Sequence, residues 1–124
     1  MALVIILDDD ADLRETMMDV VRLSCGHECI GIDSHAALVE LGDRIFDSDL
    51  AILDINLGSG VPSGVDSYQW LRQRGYTGRI VFLTGHARTH PQVEKAYHVG
   101  DARVLEKPIT ADQLCALIEK RRSG

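Results

Sequence analysis

The chain has 124 residues, a length that suits one domain. Hydrophobic residues make up 45% of it and charged residues 26%, which is enough apolar surface for a core and argues against a disordered chain. The formal net charge of -6 argues against direct binding of nucleic acid or of an anionic membrane.

The sequence contains no run of about eighteen apolar residues and no basic export leader. We therefore expect a cytoplasmic protein with a single domain over residues 1–124, in which residues 121–124 are a candidate start of a linker. Three cysteines, Cys25, Cys29 and Cys115, are an odd number without an export signal, which predicts reduced thiols. A metal clip at Cys25 and Cys29 is not expected, because no second ligand pair completes a tetrahedral site.

Short apolar runs alternate with amphipathic segments about every twenty-five residues, which is typical of a parallel α/β sheet. The predicted strands are Leu3–Leu7, Glu28–Ile32, Leu50–Leu53, Arg79–Leu83 and Arg103–Leu105. The predicted helices are Asp10–Ser24, His35–Ile45, Val65–Arg74, Pro91–His98 and Ala111–Arg121. Ser34 is a candidate N-cap, Pro91 suits a first helical turn, and Thr110 and Gln113 have the spacing of a capping box.

Five βα units with right-handed crossovers predict a flavodoxin-like, doubly wound parallel sheet with helices on both faces. The predicted strand order is 2-1-3-4-5, with the second strand, which is only partly apolar, near an edge. This order places the first strand beside the third. Side chains that follow these two strands are then expected to face one another across the crevice where such sheets bind ligands.

Carboxylates follow both of these strands. Asp8 and Asp9 come directly after Leu3–Leu7, and Asp54 comes directly after Leu50–Leu53. So many carboxylates at one point are unfavourable unless a cation lies between them. Mg²⁺ takes one or two carboxylates and keeps positions for phosphate oxygens, so the sequence predicts a magnesium site with Asp9 and Asp54 as ligands and Asp8 acting through water. A carboxylate can also act as a nucleophile that forms an aspartyl phosphate.

The remaining strand ends carry groups that suit phosphoryl chemistry. Thr84 can donate a hydroxyl hydrogen bond to a phosphoryl oxygen, and Lys107 can place a point charge on it. The Lys107–Pro108 bond is a candidate for cis geometry in a tight turn. Taken without the other motifs, Thr84 is more often an ordinary turn residue, and a lysine such as Lys107 near a strand end is more often a solvated side chain. Asp10 is explained as a helix N-cap, whereas Asp54 precedes an irregular loop and is not.

Taken together, these strand ends resemble the receiver domain of two-component response regulators. The matching motifs are Asp8-Asp9, Asp54, Thr84-Gly85 and Lys107-Pro108, in this order. The resemblance covers essentially the whole chain. Each motif alone is weak evidence for this family, but the four motifs together, in this order, are specific for it.

The resemblance implies a bacterial signalling switch that is phosphorylated, and not an enzyme, although it assists its own phosphorylation and dephosphorylation. Asp54 would accept a phosphoryl group from a sensor histidine kinase or a histidine phosphotransfer protein, and its modification would shift the surface offered to a downstream target or effector domain. Thr84 and Lys107 would contact the phosphoryl group. The implied ligands of Mg²⁺ are Asp8, Asp9, Asp54 and the backbone carbonyl of Asn56.

The chain departs from the family pattern in two places. Three residues before Lys107, where the family carries an aromatic side chain that reports phosphorylation, stands Val104, whose branched side chain is stiff. Either another surface carries the signal, or the domain mainly passes phosphate on. The loop 56–64 is about two residues longer than usual, which indicates mobility and partner contacts or a tolerated insertion. Asn56 and His86 occupy positions that tune the phosphoryl lifetime.

Two other functions stay open at this level. A haloacid-dehalogenase-like phosphatase also places an Asp-x-Asp motif after its first strand and would make Asp8 the nucleophile. However, Leu13 and Arg14 do not match its threonine motif, and the length leaves no room for a cap domain. A phosphate-independent interaction module with the receiver fold is suggested by Val104 and the long loop.

Overall fold

The computed structural model describes residues 2–58, 60–85 and 90–120, with the backbone alone at Lys120. Its strands are β1 Leu3–Leu7, β2 Glu28–Ile32, β3 Leu50–Asp54, β4 Arg79–Thr84 and β5 Arg103–Glu106. Its α-helices are α1 Ala11–Asp19, α2 His35–Glu40, α3 Gly64–Gln73, α4 Pro91–Tyr97 and α5 Ala111–Lys120. The strand bounds agree with the predicted ones to within one residue at each end. None of the helices in this part of the chain has both the length and the hydropathy that crossing a bilayer requires.

The described strands form one five-stranded parallel sheet in the order β2-β1-β3-β4-β5. This is the predicted flavodoxin-like order, and β2 lies at an edge as expected. Strand β1 pairs with β3 in a register that sets Leu7 opposite Leu53. The residues that follow these two strands therefore emerge at the same edge of the sheet, which is where the candidate site lies.

The core has two layers, one on each face of the sheet, because successive strand side chains point to opposite faces. One layer packs under α2, α3 and α4 and includes Ile5, Leu7, Leu38, Ala51, Leu53, Leu71, Phe82 and Val93. The other packs under α1 and α5 and includes Val4, Ile6, Met17, Val21, Leu50, Ile52, Val81, Leu83, Leu114 and Ile118. Helices α1 and α5, from opposite ends of the chain, thus share one face.

Two helices, α1 and α2, end five residues earlier than predicted. The predicted α1 changes at Val20–Ser24 into a π-helical turn, in which the N–H of Cys25 donates to the Val20 carbonyl at 3.0 Å. The predicted α2 stops before Gly42, which has φ +58°, a left-handed conformation that an α-helix does not continue. The chain proceeds instead as a 3-10 helix over Gly42–Asp47.

The predicted helix caps are confirmed. The side chains of Asp10 and Ser34 accept backbone N–H groups at the starts of α1 and α2. At α5, Thr110 and Gln113 form the reciprocal pair of a capping box, with distances of 2.8 and 3.1 Å. Pro91 occupies the first turn of α4.

The prediction of three reduced thiols is wrong for two of them. Cys25 and Cys115 form a disulfide with a Cα–Cα distance of 5.3 Å, although 90 residues separate them in sequence. They meet because α1 and α5 share a face of the sheet, a proximity that cysteine spacing does not reveal. Cys29 is a buried free thiol, and burial raises its pKa. In this structure the sulfur of Cys25 is bonded to Cys115 and is not paired with Cys29.

Candidate functional site

Three carboxylates converge at the edge of the sheet where β1 and β3 end. One carboxylate oxygen from each of Asp8, Asp9 and Asp54 lies within 4.8 Å of the other two. Asp8 and Asp54 are buried, at 1% and 4% exposure, whereas Asp9 is exposed. Two buried carboxylates this close are unfavourable without positive charge between them. These distances confirm the predicted convergence of the three carboxylates.

The loop that carries Asp8 is fixed by local hydrogen bonds. Its Oδ1 accepts the N–H of Asp10 at 2.9 Å, and Asp10 in turn caps α1. Arg14, one turn into α1, donates from Nη1 to the Asp8 carbonyl at 2.7 Å. The role of Arg14 was not predicted, and only its position four residues after the N-cap Asp10 could have indicated it. The start of α1 thus orients the Asp8 carboxylate toward β3.

Lys107 reaches into the carboxylate cluster from the loop after β5. Its Nζ lies 3.1 Å from Oδ2 of Asp8 and 3.3 Å from Oδ2 of Asp54. The backbone N–H of Lys107 donates to the Thr84 carbonyl at 2.8 Å, so the loop is tied to the end of β4. The Lys107–Pro108 peptide bond is cis, as predicted. The solvated alternative for this lysine is excluded by these contacts, since its side chain is only 20% exposed.

The charges at this cluster influence one another. Burial raises the pKa of Asp54 from its ordinary 3.8 to about 7, attraction to Lys107 opposes this, and the neighbouring Asp8 adds to it. Burial lowers the pKa of Lys107, but attraction to Asp54 and contact with Asp8 outweigh it, and the net direction is upward. Lys107 is therefore cationic at neutral pH, while Asp54 titrates in the range where a cation or a ligand can shift its state.

Thr84 and Asn56 lie at the same edge of the sheet. Thr84 is the last residue of β4, is 2% exposed, and directly follows Leu83, which is paired with Asp54. Asn56 is half-buried; its backbone hydrogen bond to Asp54 lowers the pKa of that carboxyl, and its Oδ1 accepts the N–H of Gly58 at 3.1 Å. A metal-ligating role for the Asn56 carbonyl stays a prediction. His86 lies outside the described residues.

The first residue of helix α3, Gly64, packs closely against the backbone of Asp54 and Ile55. A Cβ on Gly64 would lie 2.3 Å from the carbonyl oxygen of Asp54, so any other residue here would force the backbone to shift. The N–H of Gly64 donates to the Ile55 carbonyl at 3.0 Å. Ser63 and Asp66 form a capping box that starts the helix there. This box was not predicted, although its Ser-x-x-Asp spacing is visible in the sequence.

This donor set suits a hard divalent cation. Carboxylate oxygens are the ligands that Mg²⁺ and Ca²⁺ prefer, and the two buried carboxylates lack enough positive charge from Lys107 alone. The exposed side of the cluster, at Asp9, leaves access for waters or for phosphate oxygens, which Mg²⁺ retains as ligands. The residues present therefore fit magnesium.

Comparison with known families decides the relationship. The model of the response regulator receiver domain matches residues 4–119. The chain belongs to this family. Receiver domains are signalling domains of two-component systems, so the predicted family, fold and general function are confirmed.

Sequence relatives include the response regulator protein FleR of Pseudomonas aeruginosa, which is 33% identical over 99% of this chain and 25% of FleR. The tetrathionate response regulatory protein TtrR of Salmonella typhimurium is 29% identical over 97% of this chain and 56% of TtrR. The cell cycle transcriptional regulator CtrA of Caulobacter vibrioides is 30% identical over 93% of this chain and 48% of CtrA. The chain thus spans about a quarter to a half of the length of these relatives.

Solved receiver domains share the fold. A receiver domain protein from Clostridium thermocellum superposes with a TM-score of 0.84 at 21% identity, covering 99% of this chain and 97% of that one. The receiver domain of NtrX from Brucella abortus superposes with a TM-score of 0.79 at 24% identity, covering 94% and 95%. At the position of the family's aromatic side chain, this chain has Val104, which is half-buried, opposite Phe82 in the β4–β5 register.

Proposed function

We propose that this domain is the phosphoacceptor of a two-component phosphorelay, and that Asp54 takes the phosphoryl group. The observation that carries the proposal is the position of the Lys107 ammonium, which lies between Asp8 and Asp54 at 3.1 and 3.3 Å. A cation at this place lies where negative charge on phosphoryl oxygens would build up during transfer. The family supports the same role, since its members work in two-component systems.

The chemistry proposed for Asp54 is nucleophilic. An oxygen of the ionised carboxylate forms a bond to phosphorus, and the bond from phosphorus to the nitrogen of a phosphohistidine donor breaks, with its electron pair leaving on the imidazole. Lys107 stabilises the ionised form of Asp54 before transfer and the phosphoryl oxygens after it. Thr84, buried at the end of β4, is proposed to donate its hydroxyl to one of these oxygens.

Magnesium is the proposed cofactor. Its proposed ligands are Asp8, Asp9, Asp54 and the backbone carbonyl of Asn56. Bound there, the ion would supply positive charge that offsets the buried carboxylates and the phosphoryl oxygens. Asp8 already shares its oxygens with Asp10 and Lys107, so it is proposed to act on the ion through water.

The proposed donor is a sensor histidine kinase or a histidine phosphotransfer protein, and the proposed setting is the cytoplasm. Phosphorylation of Asp54 would shift an equilibrium between two surface conformations. Because Val104 cannot change rotamer as an aromatic side chain does, the readout is proposed to use another surface. The phosphatase alternative with Asp8 as nucleophile is not retained, since the chain belongs to the receiver family.

The experiment is a titration with beryllofluoride, a mimic of the phosphoryl group, followed by fluorine NMR with and without Mg²⁺. The wild-type chain is expected to bind one equivalent only when Mg²⁺ is present, and Asp54→Asn is expected to bind none. Asp10→Asn is the matched control, because asparagine keeps the helix cap and Asp10 lies outside the cluster. Unchanged binding by Asp54→Asn would overturn the assignment. Lack of binding by the wild type would favour the phosphate-independent interaction module.

A further inference from the structure

A second pair of reactive side chains lies away from the carboxylate cluster, on the face covered by α1 and α5. Cys25 follows the π-helical turn at the end of α1, and Cys115 lies in the second turn of α5. Their Cα atoms are 5.3 Å apart, within the range that a disulfide spans. Both side chains are partly exposed, so a small thiol reagent can reach them. The proposed phosphoryl chemistry uses neither of them.

A separate contact holds the two segments together beside the cysteines. Nε2 of His27 lies 2.9 Å from Oε1 of Glu119, and Nδ1 of His27 accepts the N–H of Ala2 at 3.0 Å. Glu119 follows Cys115 by four residues, so both lie on the same side of α5. The loop that carries Cys25 and His27 is therefore held against α5 at two points, only one of which is the disulfide.

Buried apolar packing fixes the same pair of segments. Val21 in the π-helical turn and Leu114 and Ile118 in α5 are each 1% exposed or less and belong to one cluster. Cys25 packs against this cluster. Because neither this packing nor the histidine–glutamate contact depends on the sulfur–sulfur bond, the two thiols stay close together when reduced. This proximity favours closing the bond within the molecule over pairing with another chain.

We propose that Cys25 and Cys115 form a reversible redox site, oxidised by a low-molecular-weight disulfide of the glutathione class. One cysteine thiolate attacks a sulfur of the reagent disulfide, giving a mixed disulfide and releasing one thiolate. The second cysteine attacks the protein sulfur of that mixed disulfide and releases the other. The protein loses two electrons and two thiol protons in forming the bridge, and the reagent is reduced to two thiols.

The bridge joins the segment after the far end of α1 to the second turn of α5, and both helices begin beside the carboxylate cluster. Helix α1 follows the loop of Asp8, and α5 follows the loop of Lys107. Closing a loop across 90 residues removes much conformational freedom from the unfolded chain, so the oxidised domain is more stable than the reduced one. Cys29 is not part of the proposed redox site, because it is buried and its raised pKa keeps it as a thiol.

The test equilibrates the purified chain with mixtures of reduced and oxidised glutathione, quenches exchange with acid, alkylates the remaining free thiols in denaturant and maps the peptides by mass spectrometry. A Cys25–Cys115 bridge is expected in oxidising mixtures, with Cys29 alkylated in every mixture. The melting temperature is expected to rise by about 10 °C on oxidation and to return with excess reduced glutathione. Cys29→Ser is the control that keeps this rise, and Cys25→Ser and Cys115→Ser are the variants that lose it.

Four results would overturn the proposal: bridges between separate chains, glutathione adducts without a bridge, an unchanged melting temperature, or a bridge that no glutathione mixture opens. A further variant tests the proximity of the reduced thiols. Glu119→Ala removes the contact with His27 and is expected to require a roughly fivefold more oxidising mixture for half oxidation. An unchanged midpoint in that variant would contradict the claim that this contact holds the thiols together.

Discussion

The buried Asp54 carboxyl makes the stability of this domain depend on pH in a direction that can be stated in advance. Its pKa is about 7 in the folded chain, against an ordinary 3.8, mainly because burial disfavours the charged form. The folded chain therefore holds a proton at Asp54 between these two pH values, where the unfolded chain has lost it. The resulting stability is fully present below about pH 4 and is lost as the pH rises to about 7.

The magnitude follows from the same pKa. Each pH unit between the two values changes the free energy of unfolding by about 1.4 kcal/mol. Between pH 5 and pH 8, without divalent cations, the wild type is expected to lose roughly 3 kcal/mol relative to Asp54→Asn, because most of the change falls between pH 5 and pH 7 and the small remainder just above pH 7. Asparagine fills nearly the same volume and does not titrate.

The assay is urea unfolding at several pH values, in a buffer that contains a chelator of divalent cations. The comparison uses the difference between wild type and Asp54→Asn at each pH, so that the titration of other groups cancels. Asp10→Asn serves as a control that is expected to follow the wild type. Excess Mg²⁺ is expected to flatten the wild-type decline, because a bound cation favours the ionised carboxylate.

Parallel pH profiles for wild type and Asp54→Asn would refute this reasoning. Such a result would mean that Asp54 has an ordinary pKa in the folded chain, and hence that water or a counter-ion reaches it. If the stability of the wild type declines with pH but Mg²⁺ does not change this decline, the raised pKa of Asp54 is supported and the proposed cation site is contradicted.

Three further predictions concern the residues around Asp54. Lys107→Met should slow phosphorylation by acetyl phosphate roughly tenfold or more, measured by intact mass over time, and an unchanged rate would remove Lys107 from the chemistry. Gly64→Ala should lower the free energy of unfolding by about 1–3 kcal/mol in urea, because its Cβ would contact the Asp54 carbonyl, whereas Gly85→Ala, where a Cβ meets nothing within 4 Å, should be close to neutral. Asp9→Asn should weaken Mg²⁺ binding in calorimetry yet change stability by less than about 0.5 kcal/mol, since Asp9 is exposed; a large loss of stability would show a structural role instead.

The sheet and the carboxylate cluster were predictable because each depends on simple patterns. Apolar runs such as Leu50–Leu53, which lies between Asp49 and Asp54, are bounded by charged residues, so strand bounds were accurate to one residue. The parallel order then brought Asp8 and Asp54 together without any side-chain detail, since the ends of neighbouring parallel strands share an edge. The placement of Lys107 needed the family resemblance, because a lysine near a strand end is usually solvated.

The features that were missed depend on contacts between distant segments or on local backbone geometry. The Cys25–Cys115 proximity follows from which helices share a face, and an odd cysteine count pointed the other way. The break in α2 depends on the left-handed conformation of Gly42, which composition alone does not specify. The capping box at Ser63 was readable from its spacing but lay inside a segment interpreted as a loop.

The most direct test of the central claim is to locate the phosphoryl group itself. After incubation with acetyl phosphate and Mg²⁺, borohydride reduction converts an aspartyl phosphate to homoserine, and peptide mass spectrometry identifies the converted residue. Conversion is expected at Asp54 alone, and none is expected in Asp54→Asn or when Mg²⁺ is chelated. Conversion at Asp8 or Asp9, or continued labelling of Asp54→Asn, would contradict the assignment of Asp54 as the phosphoacceptor.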